Sequence, residues 1–172
     1  AAGHMSSGGF RGYKGTIYEG GHRVPLIMKW GSQAFGPSPL PPGTVSDALV
    51  GIQDLYATLA ELVGLPVAED QGRDSFSMLP ILMGKASATR DHMVFEARDP
   101  EKTAVDGGIL GQHFALRRGR YKLIFDSTRF PLALYNLVQD PAETTNLLLQ
   151  PDQADRIARM TRGLDAELTS AR

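Results

Sequence analysis

The chain has 172 residues, 42% of them hydrophobic and 22% charged, with a formal net charge of −1. This is the composition of a globular protein able to bury a sizeable core, and the near-zero charge gives no long-range reason to expect nucleic acid or an acidic membrane as partner. No apolar run approaches the roughly 20 residues that span a bilayer, and the absence of cysteine excludes disulfides, thiolate metal sites and a cysteine nucleophile within the segment.

Residues 1–21 hold seven glycines, a density that predicts loop rather than helix. The run RVPLIMKW (23–30) is almost unbroken apolar sequence and reads as a strand buried on both faces. A Pro-rich connection follows over 31–45. Ser46 then precedes the clearest helical pattern: Leu49, Ile52, Leu55, Tyr56, Leu59, Leu62 and Val63 recur at three- and four-residue spacing, and Gly64 with Pro66 ends the helix. A shorter helix is predicted over 77–84, with Pro80 in its first turn.

After residue 90 the pattern turns to strands. HMVFEAR (92–98) is one, HFALRRGRYKLIFD (113–126) reads as a hairpin turning near Arg118–Gly119, and LALYNLV (132–138) is another. Pro151 opens a final helix whose Ile157, Met160, Leu164 and Leu168 share a face. A doubly buried strand at 24–30 needs strand neighbours, and the segments beside it are loop and helix. Its partners are therefore expected from sequence outside this chain, which reads as the C-terminal part of a larger protein.

The stretch GYKGTIYEGGHRVPLI (12–27) carries the main chemical signal. Lys14 between two glycines can place a cation where the backbone approaches an oxyanion; the alternative is a solvated loop lysine. A nucleotide-binding phosphate loop is excluded, because Tyr13 rather than Gly precedes Lys14 and Gly15 rather than Ser or Thr follows it. Glu19, His22 and Arg23 either assist the same anion or pair among themselves. His4 and His113 are further candidates for reaching a bound anion, against the plainer readings of a loop histidine and a half-buried strand histidine. No clustered metal ligands and no Gly-x-Ser-x-Gly elbow occur.

Four motifs in order resemble one family. GYKGTIYEGGHRVPLI resembles the Lys-Gly-x-x-x-Glu-Gly-Gly-x-Arg-x-Pro signature of the sulfatases, in the alkaline phosphatase superfamily. PPGTVSDALVGIQDLYATLAELVG is similar to that family's turn and following helix, FALRRGRYKLI to its Gly-x-Tyr-Lys-Leu-Ile hairpin, and LYNLVQDPAETTNLL to its Asp-Pro-x-Glu-x-x-Asn-Leu segment.

The resemblance implies an α/β sulfatase-like fold in the complete protein. This segment would be α+β, with a small antiparallel sheet packed on a C-terminal helix. Residues 1–88 would end the catalytic α/β domain and 89–172 would form the antiparallel subdomain, with the loop 99–113 framing the pocket mouth. Lys14 would be the catalytic, sulfate-contacting lysine, and His4 and His113 would be added substrate-binding candidates. The family's formylglycine motif, Cys/Ser-x-Pro-x-Arg, does not occur here. Formylglycine and a divalent cation, usually calcium, are expected from the complete protein, and no metal ligand from this segment. The segment alone is expected to be inactive, and its partners are a sulfated small molecule or glycan and the rest of the catalytic domain. The alternatives are a phosphate or phosphonate ester hydrolase of the same superfamily and a non-catalytic module binding anionic glycans.

Overall fold

The computed structural model describes residues 7–31, 36–68, 70–97 and 112–170. Two compact units emerge, one joining the residues up to Pro25 with those from His92 onward, the other running from Leu26 to Asp91.

The first unit is built on four antiparallel strands in sequence order: β1 (His92–Glu96), β2 (Phe114–Arg118), β3 (Tyr121–Phe125) and β4 (Pro131–Asn136). The expected hairpin is present: Arg118 pairs with Tyr121 across a two-residue turn, and Gly119 takes a φ of +55° at its first central position. Pro131 opens β4, where its missing N–H costs the ladder least.

Strand alternation gives the sheet two apolar faces. Leu116, Leu123, Phe125 and Leu134 point to one side and pack with Met160 and Leu164 of the C-terminal helix. That helix, α4 (Ala154–Ser170), follows a short 3-10 turn over Pro151–Gln153, and Ile157 and Leu168 pack against the same cluster, as their spacing predicts. Ala115, Ile124, Ala133 and Tyr135 point to the other side and pack with Ile17 and Tyr18 from the N-terminal segment. The small sheet therefore lies between α4 and the glycine-rich segment. Within that segment the sequence predicts only loop, but Glu19–His22 form a single helical turn, α1.

The second unit holds α2 (Asp54–Leu62) and α3 (Leu79–Leu82). Helix α2 starts later than the apolar spacing predicts. Gly51 weakens helix before it, Ile52 is solvent-exposed, and the buried Asp54 carboxylate accepts from the backbone N–H of Gly51 at 2.7 Å and of Phe76 at 2.9 Å. Arg90 also donates to that carboxylate. Asp54 thus pins the helix start by bonds that an apolar pattern does not reveal. Residues 24–30, expected as a strand, form none. Ile27 is 90% exposed, because no strand neighbour lies beside it among the described residues. No helix of the described residues is long and apolar enough to cross a membrane.

Candidate functional site

The Lys14 loop is a tight turn. The Thr16 N–H donates to the Tyr13 carbonyl at 2.9 Å, which puts Lys14 at the second position and Gly15 at the third. Gly15 has a φ of +92°, as the third position of a type II turn requires. Lys14 is exposed at the tip, and its ammonium has no hydrogen-bond or ion-pair partner among the described residues.

The turn is fastened to α1 at close quarters. The Gly20 N–H donates to the Arg11 carbonyl at 2.7 Å. A Cβ at Gly20 would lie 2.5 Å from that oxygen, and one at Gly21 would lie 2.1 Å from the Thr16 carbonyl oxygen. The double glycine is therefore needed for backbone approach, not for chemistry.

Beneath α1 lies a buried ionic cluster that joins three of the motifs. Glu19 comes from the signature, Lys122 from the hairpin and Glu143 from the Asp-Pro-x-Glu turn, and each side chain is fully buried. The Lys122 ammonium donates to Glu19 Oε1 at 3.2 Å and lies 2.9 Å from Glu143 Oε1, an ion pair whose angle is not that of a hydrogen bond. Glu143 Oε2 accepts from the Glu19 backbone N–H at 2.6 Å. Arg23 and Arg117 each approach Glu19 Oε2 to 3.6 Å. Arg11 donates to the Glu143 carbonyl at 2.8 Å and to the Tyr135 hydroxyl at 3.3 Å, with its guanidinium 4.0 Å from the Tyr18 ring centroid. Gln112 donates to the Tyr18 hydroxyl at 2.6 Å.

The two carboxylates respond oppositely. Burial pushes both up, but at Glu19 the cations Lys122 and Arg117, together with His22, prevail and the carboxyl is held below its usual range. At Glu143 burial prevails and the carboxyl is raised, despite Lys122. His22 stacks on Phe95 with ring centroids 4.1 Å apart, and its Nε2 lies 3.1 Å from the Lys122 ammonium. Burial, then that ammonium, lowers His22 to about 4, so the ring is neutral near pH 7. Burial raises the Tyr135 hydroxyl to about 12.

Glu143 itself has a φ of +55°, a left-handed conformation that costs a non-glycine residue roughly 1–2 kcal/mol. The turn holds it there through hydrogen bonds to Asp140, whose carboxylate accepts from the Thr145 N–H and the Thr144 hydroxyl. Strain, burial and pairing all converge on aiming Glu143 at Lys122.

Of the sequence candidates, Lys14 stands alone at the turn. His113 immediately precedes the interior strand β2, 3.2 Å from Glu96 Oε1 and edge-on to Phe114, and no hydrogen bond or ion pair joins it to Lys14. His4 and residues 99–111 of the loop 99–113 lie outside the described residues. Among the described residues no group of three or more acidic or histidine side chains is arranged for a metal ion. The buried carboxylates Glu19 and Glu143 are committed to Lys122, so they do not fit a divalent-cation site. Sequence reading missed Lys122, Glu143 and Arg11. The available signal was a lysine inside the apolar strand run YKLIF, on the same alternating face as Ile124.

Comparison with known proteins agrees with the motif order. The family model for N-sulphoglucosamine sulphohydrolase, C-terminal, matches residues 9–170. Human arylsulfatase A is 34% identical over 169 residues, covering 84% of this chain and 30% of that protein. An N-acetylgalactosamine-6-O-sulfatase from Bacteroides thetaiotaomicron is 30% identical over 168 residues, covering 90% of this chain and 29% of that protein. A solved structure described in connection with metabolism of multiple glycosaminoglycans by Bacteroides thetaiotaomicron superposes with a TM-score of 0.74 at 27% identity, covering 97% of this chain and 33% of that one. The chain thus spans about 30% of the length of the curated relatives it matches. It belongs to the sulfatases, as a C-terminal segment of the N-sulphoglucosamine sulphohydrolase type.

Proposed function

We propose that this chain completes the active site of a sulfatase that hydrolyses sulfate esters of a small molecule or glycan, and that Lys14 contacts the sulfate oxygens. The observation carrying this reading is the lysine at the tip of a type II turn, without an internal partner, on a segment clamped from below by Glu19, Lys122 and Glu143. A cation carried on a fastened turn, without a competing carboxylate among the described residues, is suited to stabilise negative charge developing on the ester oxygen. The names of the relatives, an arylsulfatase and an N-acetylgalactosamine-6-O-sulfatase, support the substrate class.

In the complete protein a formylglycine would supply the nucleophile and a divalent cation would neutralise sulfate charge. The residues here do not fit either group, so this segment's contribution is binding and orientation, and the segment alone is inactive. Turnover of an aryl sulfate by the complete protein tests the proposal. Lys14→Ala is expected to lower kcat by about 10²–10³-fold, the cost of removing one preorganised oxyanion donor. Turnover by Lys14→Ala within about twofold of the parent would remove Lys14 from the chemistry. Higher rates on aryl phosphate than on aryl sulfate would shift the assignment to a phosphate ester hydrolase.

A further inference from the structure

On the α4 side of the sheet, an open cleft of about 330 Å³ is walled by Arg118, Tyr121, Arg156, Arg159 and Met160. This lies at the lower end of the roughly 300–1,000 Å³ typical of ligand sites. Three of the five walls are guanidinium groups, and among the described residues no carboxylate lines the cleft. The fold brings them together from separate elements. Arg118 ends β2 and Tyr121 opens β3 directly opposite it, while Arg156, Arg159 and Met160 fall at helical spacing on one stripe of α4.

Folding alone does not account for this grouping. Met160 is buried and belongs to the core, but Arg156 stands in the first turn of α4, where the helix dipole disfavours a cation. Like charges around one cleft also repel. Arg156 is nevertheless fixed in place. Its guanidinium carbon lies 3.8 Å from the Tyr121 ring centroid, and it donates to Oε1 of the buried Gln153, whose amide is held by the Asp152 carboxylate at 2.7 Å. A fork oriented before a ligand arrives loses less entropy on binding and suits the paired oxygens of a sulfate or carboxylate.

We propose that this cleft binds a sulfate or carboxylate group of an acidic oligosaccharide, on the face of the sheet opposite the signature segment. The anion preference comes from Arg156 and Arg159, beside Arg118, which has a further interaction of its own; the choice of a glycan rests on the sulfatase reading above.

The test is calorimetric titration of the complete protein with a heparin-derived hexasaccharide, in a Lys14→Ala background that slows hydrolysis and removes binding at Lys14. Arg118→Gln/Arg156→Gln/Arg159→Gln is expected to weaken binding about tenfold or more, at least one 1.4 kcal/mol step. The charge-matched variant Lys29→Gln/Arg73→Gln/Lys85→Gln, exposed residues of the other unit, is expected to stay within about twofold. Inorganic sulfate is expected to compete for the cleft. Equal weakening in both variants, no competition by sulfate, or no saccharide binding overturns the proposal. If the triple glutamine variant does not fold, Arg159→Glu carries the test, since that side chain is exposed and has no polar partner among the described residues; unchanged affinity there also overturns it. With Lys14 intact, the cleft variant should turn over aryl sulfate normally, so a failure of the hydrolytic reading appears separately, as no turnover by the parent.

Discussion

Lys122→Met keeps the length and apolar stem of the side chain and removes only the ammonium that Glu19 and Glu143 share. All three side chains are fully buried, so water cannot take its place, and the least costly escape is for a carboxyl to take up a proton. At pH 7, protonating a carboxyl with an ordinary value of 4.5 costs about 3.4 kcal/mol, from 2.5 units at 1.36 kcal/mol each. Arg23 and Arg117 still face Glu19 at 3.6 Å, so Glu143 bears most of this cost. A loss of about 3–4 kcal/mol is expected, in the range for breaking a buried ion pair. Because the cost is proton uptake, it should shrink to about 0.7 kcal/mol for the same carboxyl at pH 5. Urea unfolding at the two pH values measures both quantities. A loss below about 1 kcal/mol at pH 7, or one of equal size at pH 5, would refute the reasoning. The double variant Lys122→Met/Glu143→Gln should recover much of the loss, since Glu19 keeps Arg23 and Arg117 and no unpaired carboxylate is left inside.

Two further outcomes concern the cluster and the loop above it. The folded value of His22, about 4, lies below its ordinary 6.5. Its contribution is therefore complete above pH 6.5 and is lost as pH falls from 6.5 toward 4, by up to about 3 kcal/mol; thermal melts of His22→Gln should show a correspondingly shallower decline over that window, and parallel profiles would contradict the assignment. Gly21→Ala places a Cβ 2.1 Å from the Thr16 carbonyl oxygen, so it should destabilise by about 1–3 kcal/mol of overpacking strain; an unchanged unfolding midpoint would show that the loop is not tightly seated.

The sheet, its hairpin turn and the amphipathic face of α4 were legible because alternation and helical spacing report burial directly. Lys14 reads as a cation between glycines, and its role is what the family resemblance implies. The ionic cluster was not legible, because its members are 103 positions apart between Glu19 and Lys122 and only the fold brings them together. Each member sat in a quoted motif, yet a motif does not say which of its residues face one another. The start of α2 was misplaced for a related reason: Asp54 fixes it through Phe76 and Arg90, distant partners with no periodic signature. Residues 24–30 carry a strand's apolar sequence without a strand's neighbours, and an extended segment needs a ladder to satisfy its backbone.

The central claim is that the buried cluster holds the loop that presents Lys14. The most direct measurement is a double-mutant cycle on aryl sulfate turnover in the complete protein, with Lys14→Ala, Glu19→Gln and the pair, each at a temperature where it is folded. Glu19→Gln alone should lower kcat with little change in KM, and the pair should be barely slower than Lys14→Ala alone, because both changes remove one interaction. Multiplying losses in the pair would contradict the account and leave Glu19 as a purely structural residue.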